Sequence, residues 1–188
     1  MSDTYESLKN ITWQGTEKID GTNIRIYWDG HRISFAGRTD KAQIPNELQQ
    51  TLNELFLTQE MEYVFEQMFG EKEVILFGEG YGPKIQSGGD YSTTTKFILF
   101  DVLVENSYLV RYNVNDIANK LGLDSVPVVF EGTLNEAIEF IESHPMSTLG
   151  NNTHEMEGLV LEPKGVRLYD YNFKPLKCKC KYRDVVKK

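Results

Sequence analysis

Lys18 is where chemistry could begin in this chain. In "TEKIDGTNIRIYW", residues 16 to 28, a lysine is followed two places later by Asp20 and then Gly21, and Ile24, Ile26 and Trp28 then alternate. One reading is a surface strand with an ordinary turn. The other is a nucleophilic lysine. Such a nucleophile reacts as the neutral amine, which an unperturbed lysine, pKa ~10.4, scarcely populates at neutral pH. Burial and nearby cations favour the amine. Cations are plentiful in "LKCKCKY", where period two puts Lys177, Lys179 and Lys181 on one face and Leu176, Cys178 and Cys180 on the other. That ladder repels itself unless an anion sits against it, and phosphate is the obvious candidate. The alternative is an edge strand blunted by lysines against aggregation.

Three acids and an arginine join this set. Glu79 stands between glycines in "FGEGYG", where the backbone could approach a ligand, or simply turn. Asp101 interrupts the apolar run "FILFDVLV", where a charge is costly unless paired or metal-bound. Glu157 heads the short apolar strand "GLVLEP", and a solvated strand end is its plain reading. Arg38 lies just past the strand "RISFAG". His31, His144 and His154 read as isolated surface residues, and Thr93 to Thr95 as a polar loop.

The elements that must position these residues alternate irregularly. Strand patterns fall at "NIRIYW", "RISFAG", "EVILFGEG", "KFILFDVLV", "PVVFEG", "EGLVLEP" and "LKCKCKY". The first two should form a hairpin through Asp29-Gly30. Helical stripes fall at "PNELQQTLNELF", "EMEYVFEQMFG", "VNDIANKLG" and "TLNEAIEFIESHP", the last opening with a capping box of Thr133 and Glu136. This order predicts an α+β fold rather than a wound parallel sheet. No Gly-, Pro- or Ser-rich linker divides the chain, so residues 1–188 read as a single domain.

Composition bounds the rest. A net charge of −8 and a pI near 5.0 argue against indiscriminate coating of nucleic acid. They leave room for a local basic groove, and "FKPLKCKCKYRDVVKK" concentrates positive charge. No apolar run reaches the roughly 18 residues of a membrane span, and "MSDTYESLKN" does not read as a signal peptide. The two cysteines are too few for a disulfide framework, and their spacing would strain a mutual disulfide. They read as reduced core thiols of a cytoplasmic protein.

In order, "EKIDGTN", "GR", "FGEGYG", "ILFDV", "EGLVL" and "LKCK" resemble motifs I, Ia, III, IIIa, IV and V of the covalent nucleotidyltransferases, which include ATP-dependent DNA ligases, RNA ligases and mRNA capping enzymes. K-x-D-G alone arises easily by chance; six features in family order, over about residues 17 to 182, do not. "EKIDGTN" and "FGEGYGPKIQ" are most similar to the RNA ligase branch that holds nick-sealing and RNA-editing ligases. The chain departs from several members of that branch at Asp20, where they carry histidine. It shows no motif VI and no segment resembling an oligonucleotide-binding domain.

The resemblance implies an ATP-grasp-like nucleotidyltransferase catalytic domain of antiparallel sheets flanked by helices, without an appended OB-fold domain. It implies a three-step reaction: Lys18 takes AMP from ATP, AMP passes to a 5′-phosphate end, and a 3′-hydroxyl displaces it. By the same carry-over, Lys177 and Lys179 hold phosphate, with Lys181 in reserve, and Asp101 and Glu157 stand near Mg²⁺ or Mn²⁺. The Glu17 carbonyl reads the adenine amino group, Phe100 stacks on adenine and Glu79 binds the ribose hydroxyls. Arg38 touches the ribose or the incoming end, and Asn23 shapes the site during sealing. The expected partner is RNA with nicked or single-stranded ends, with DNA the alternative and a separate strand-binding protein allowed. The other readings are a minimal DNA ligase and a non-catalytic nucleotide-binding module.

Overall fold

The computed structural model describes residue 6, residues 8–150 and residues 153–185. The beginning of "MSDTYESLKN" and the last three residues of the basic run lie outside them. The chain forms two compact units, one from residues 20–125 and one from residues 1–19 and 126–188.

The 20–125 unit is built on a six-stranded sheet. Its strands are β2 (Thr22–Trp28), β3 (Ile33–Gly37), β4 (Val74–Tyr81), β5 (Lys96–Val104), β6 (Ser107–Tyr108) and β7 (Asp124–Ser125). The order is β3-β2-β4-β5-β6, antiparallel throughout, and β7 adds one parallel pairing to β5. The expected hairpin joins β2 to β3. Asp29 closes it, its Oδ1 accepting from the backbone N–H of His31 and Arg32, while Gly30 takes φ 91°.

Three helices cover one face. Helix α1 (Asn46–Phe56) follows Pro45 and buries Leu48, Leu52 and Phe56, one residue per turn. Helix α2 (Gln59–Phe69) is capped by Thr58, whose hydroxyl accepts from Met61 N–H, and stops at Gly70 with φ 58°. Helix α3 (Arg111–Leu121) buries Val114, Ile117, Ala118 and Leu121, then stops at left-handed Gly122. These stripes meet Ile24, Ile26, Trp28, Val74, Leu76, Phe97, Leu99 and Val102 in one core.

The other unit holds a four-stranded antiparallel sheet, ordered β10-β9-β1-β8. Its strands are β1 (Trp13–Glu17), β8 (Val128–Gly132), β9 (Gly158–Pro163) and β10 (Cys178–Lys181). Helix α4 (Leu134–Glu142) packs on it through Ala137 and Ile141 and opens with the expected Thr133–Glu136 capping box. A single turn, α5 (Tyr182–Val185), follows β10. Strand β1 has no clear sequence signature: "WQGTE" carries one large apolar residue. It is a strand because it lies between β8 and β9, which satisfy its backbone on both edges.

Cys178 and Cys180 are free and point toward this second core. Burial pushes both thiols up, with Asp184 adding to the effect at Cys180. Less thiolate means slower alkylation. Mass spectrometry after iodoacetamide treatment at about pH 7.5 should find the native chain modified at least roughly tenfold more slowly than the unfolded chain. Equal rates would show that these thiols are not shielded. Among the described residues, no helix is long and apolar enough to cross a membrane.

Candidate active site

Three neighbouring strands bring Lys18, Glu157 and Lys181 together. Glu17 pairs with Leu159, and the next residue, Lys18, donates its backbone N–H to the Gly158 carbonyl at 2.9 Å. On the other edge of β9, Lys181 pairs with Gly158. The residue before Gly158 is Glu157, so its side chain meets both lysines. Lys18 Nζ lies 2.5 Å from Glu157 Oε2, and Lys181 Nζ lies 3.3 Å from Oε1. The three side chains are 18%, 24% and 19% exposed, shielded enough for the charges to act on one another and open enough for a ligand.

Gly158 makes this convergence possible. Its φ is +153°, and a Cβ there would lie 2.2 Å from the Cys180 carbonyl oxygen. A side chain would therefore push β10 off β9 where Lys181 approaches Glu157.

The lysine ladder keeps its period-two geometry. Lys179 pairs with Val160, two residues from Lys181 and on the same face, and is exposed. Lys177 precedes β10 and is partly buried. The ion pair to Glu157 belongs to Lys181, the ladder member that sequence reasoning held in reserve.

Glu17, beside the candidate nucleophile, is only 1% exposed. Its carboxylate accepts from Ser147 Oγ at 2.5 Å, Thr148 N–H at 2.9 Å and Thr148 Oγ1 at 2.6 Å. Three donors offset the cost of burying the acid and tie residues 147–148 to β1. Sequence reasoning missed Ser147 and Thr148, since two hydroxyl residues after a helix carry no pattern.

The second group of candidates shares one face of the six-stranded sheet. Residues 24, 26 and 28 of β2 enter the core, so Asn23, Arg25 and Tyr27 face the other way. Asn23 pairs directly with Glu79 of β4, and Glu79 pairs on its other side with Ile98. The glycines flanking Glu79 have a different role from the ligand approach the sequence suggested. They face the core, where a Cβ on Gly78 would lie 2.2 Å from the Phe97 ring and one on Gly80 would lie 2.4 Å from Leu48. They let α1 and Phe97 pack close. Gly21 likewise is no left-handed turn residue; a Cβ there would lie 2.4 Å from the Gly80 carbonyl oxygen.

A β-bulge decides the orientation of Phe100 and Asp101. Phe77 pairs with Asp101 but Gly78 pairs with Leu99, so Phe100 is the extra residue. Strict alternation would put Asp101 on the same face as Phe97 and Leu99, which is the core. Instead Leu99 and Val102 both enter the core, and Phe100 and Asp101 together face away from it. Arg111, buried in the first turn of α3, donates Nη2 to the Phe100 carbonyl at 2.8 Å and so anchors the bulge. Asp101 is buried and its Oδ1 accepts from Val102 N–H at 3.1 Å.

Arg38 is exposed just beyond β3, in the loop that Arg25 holds. Arg25 donates Nε to the Gly37 carbonyl at 2.9 Å and Nη2 to Asp40 at 2.7 Å. Arg25 was also missed, although its place on the Asn23 face was readable from period two. Asp20 accepts from Ser87 N–H at 3.2 Å, which ties the turn after Lys18 to a neighbouring loop. His144 is not isolated: its Nδ1 lies 3.1 Å from Glu155 Oε2 and its Nε2 lies 3.1 Å from the Tyr182 hydroxyl.

Glu157 stands in one unit and Asp101 in the other. Among the described residues, no group of three or more His, Cys, Asp or Glu side chains could hold a metal ion. Glu157 and Asp101 each offer a single carboxylate within their own unit, and Mg²⁺ characteristically takes one or two carboxylates and keeps its waters.

The RNA ligase family profile matches residues 11–183. Among solved structures, a variant of the Naegleria gruberi RNA ligase with ATP and Mn is 20% identical with a TM-score of 0.71, covering 96% of this chain and 52% of that one. The same ligase with PPi is 20% identical with a TM-score of 0.68, covering 95% and 51%. A further variant with AMP and Mn is 19% identical with a TM-score of 0.70, covering 95% and 52%. The chain thus spans about half the length of these solved ligases and shares their mixed fold of antiparallel sheets and helices. Comparison with curated proteins gives no match. A family match over nearly the whole sequence, on a fold that brings Lys18 against Glu157, gives the conclusion: the chain belongs to the RNA ligase family.

Proposed function

We propose that the chain is the nucleotidyltransferase domain, residues 1–188, of an ATP-dependent RNA ligase that seals RNA breaks through a lysyl-AMP intermediate. The observation that carries this is Lys18 held against Glu157, with Lys181 on the same carboxylate, in a chain of this family. The amine of Lys18 attacks the α-phosphorus of ATP. A nitrogen–phosphorus bond forms, the bond to the bridging oxygen breaks, and pyrophosphate leaves. The amine must shed a proton, and Glu157 is within transfer distance. An oxygen of an RNA 5′-phosphate then displaces Lys18 to make a phosphoanhydride. A 3′-hydroxyl attacks that 5′-phosphate and expels AMP.

On the four-stranded sheet, Lys18 is the nucleophile and Lys177, Lys179 and Lys181 supply positive charge against phosphate, where negative charge builds up during transfer. On the six-stranded sheet, Asn23, Glu79 and Phe100 share the face assigned to the nucleoside, with Arg38 at its margin; the Glu17 carbonyl is assigned to the adenine amino group. Glu157 and Asp101 are the carboxylates assigned to Mg²⁺ or Mn²⁺, and the cation would neutralise phosphate charge. Paired reduced thiols fit a cytoplasmic setting.

The test is incubation with α-labelled ATP or GTP and either metal, followed by a denaturing gel. Covalent label from ATP, and joining of nicked RNA in preference to nicked DNA, is the expected result. Label from GTP would mean capping chemistry, and preferential joining of DNA would mean a DNA ligase. No label with either nucleotide, from protein free of bound AMP, would leave a binding module.

A further inference from the structure

We propose that the excursion between β9 and β10, residues 164–177, is a stacking platform for single-stranded RNA, with bases laid on Tyr171 and Phe173. The choice of RNA rests on the ligase reading; the platform rests on its own geometry. Tyr171 is 91% exposed and Phe173 is 85% exposed, and neither packs on the core of its unit. Two neighbouring large aromatics left in water mark an interaction site more than chance exposure does.

The segment that presents them is built rather than loose. Tyr169 bridges to Pro175, and Leu176 N–H donates to the Leu168 carbonyl at 2.8 Å. At the tip, Asp170 N–H donates to the Lys174 carbonyl at 2.8 Å. The Asp170 carboxylate accepts from the backbone N–H of Asn172 at 2.8 Å and of Lys174 at 3.0 Å. Phe173 is held at φ 57°, a conformation that a bulky residue rarely adopts. The closed tip therefore fixes both aromatics outward.

Charge selects the occupant. The chain carries net charge −8, yet residues 164–188 hold nine Lys and Arg against two Asp and Glu. Asp170, the acid at the tip, is engaged by backbone donors, while Lys174 beside it is exposed. The excursion runs directly into the lysines of β10. Phe173 and Lys181 are separated by eight residues, a span of at most roughly 29 Å. Exposed aromatics beside a cationic track form the pattern that holds an unpaired strand without reading its sequence. A duplex hides its base faces, so the strand is single.

The test uses the full chain and a fluorescein-labelled single-stranded oligouridylate. Tyr171→Ala/Phe173→Ala should weaken binding about 5- to 150-fold per lost stack. Labelling by α-labelled ATP, and the thermal midpoint, should stay at wild-type values. Tyr171→Trp should keep the affinity, and its indole emission should be quenched when the strand is added. Wild-type affinity in the double variant, no quenching, or no strand binding by the wild type would each overturn the platform. So would self-association that the double variant abolishes at unchanged strand affinity, since the aromatics would then be a protein contact. Loss of strand binding in the double variant, with no AMP label on either protein, would sink the ligase reading and keep the platform.

Discussion

Lys18→Ala should yield a folded chain that takes no covalent label from α-labelled ATP. The loss should be complete, because under the proposed mechanism the label requires a nitrogen–phosphorus bond to Lys18. Lys181 offers another amine on the same carboxylate, but it approaches the opposite oxygen of Glu157. The fold survives because the deletion does not strand a charge. Glu157 keeps Lys181 at 3.3 Å, and its carbonyl still accepts from Tyr182 N–H. A partly exposed ion pair contributes about 1 kcal/mol or less, against the several kcal/mol lost when a fully buried charge is orphaned. Lys18→Arg sharpens the experiment, since it keeps a cation beside Glu157 and removes the nucleophile. Intact mass and a thermal melt suffice as readouts. Persistent AMP adduct in either variant would move the nucleophile elsewhere.

Glu157→Gln should slow formation of the adduct by roughly 10²- to 10⁴-fold, the range expected for loss of a positioned acid–base group. ATP affinity should change much less, because the lysines remain. Glutamine keeps the shape and an acceptor oxygen, so the loss reports the carboxylate charge, both as the group within proton-transfer range of Lys18 and as a ligand for the cation. The substitution also leaves Lys18 and Lys181 without the anion they share, so Lys181→Ala belongs in the same series. Single-turnover adduct formation at saturating ATP, measured across a range of Mn²⁺, separates the two roles. A proton role predicts a slow rate at every metal concentration, while a ligand role predicts partial recovery at high metal. A rate within roughly twofold of wild type throughout would remove Glu157 from the step.

Much of the site was legible in the sequence because its residues sit in short runs of fixed period. Ile24, Ile26 and Trp28 alternate, so the side that Asn23 shares with Arg25 follows at once. The lysines of "LKCKCKY" sort from the cysteines for the same reason. The helices were equally open to reading, through Leu48-Leu52-Phe56 and the Thr133–Glu136 box, since caps and stripes are local. What was not legible depends on neighbours far along the chain. "WQGTE" gives no strand signal, yet it is central in its sheet because β8 and β9 pair with both edges. The flanking glycines of Glu79 look like ligand-approach residues until Phe97 and Leu48 are seen beneath them.

The residue types, the order of the six motifs and the local elements carrying them were readable in advance, because they follow from backbone period and turn chemistry. Which of those residues come into contact was set by pairing between strands far apart in the chain. Strand order β10-β9-β1 selected Lys181 as the ladder lysine on Glu157, and the contact of β10 with β9 required Gly158 between them. One extra residue in β5, the bulge at Phe100, turned Phe100 and Asp101 away from the core. Both cases have one cause. Register and bulges are set by hydrogen bonds and packing between strands distant in sequence, and a shift of one residue sends a side chain to the other face.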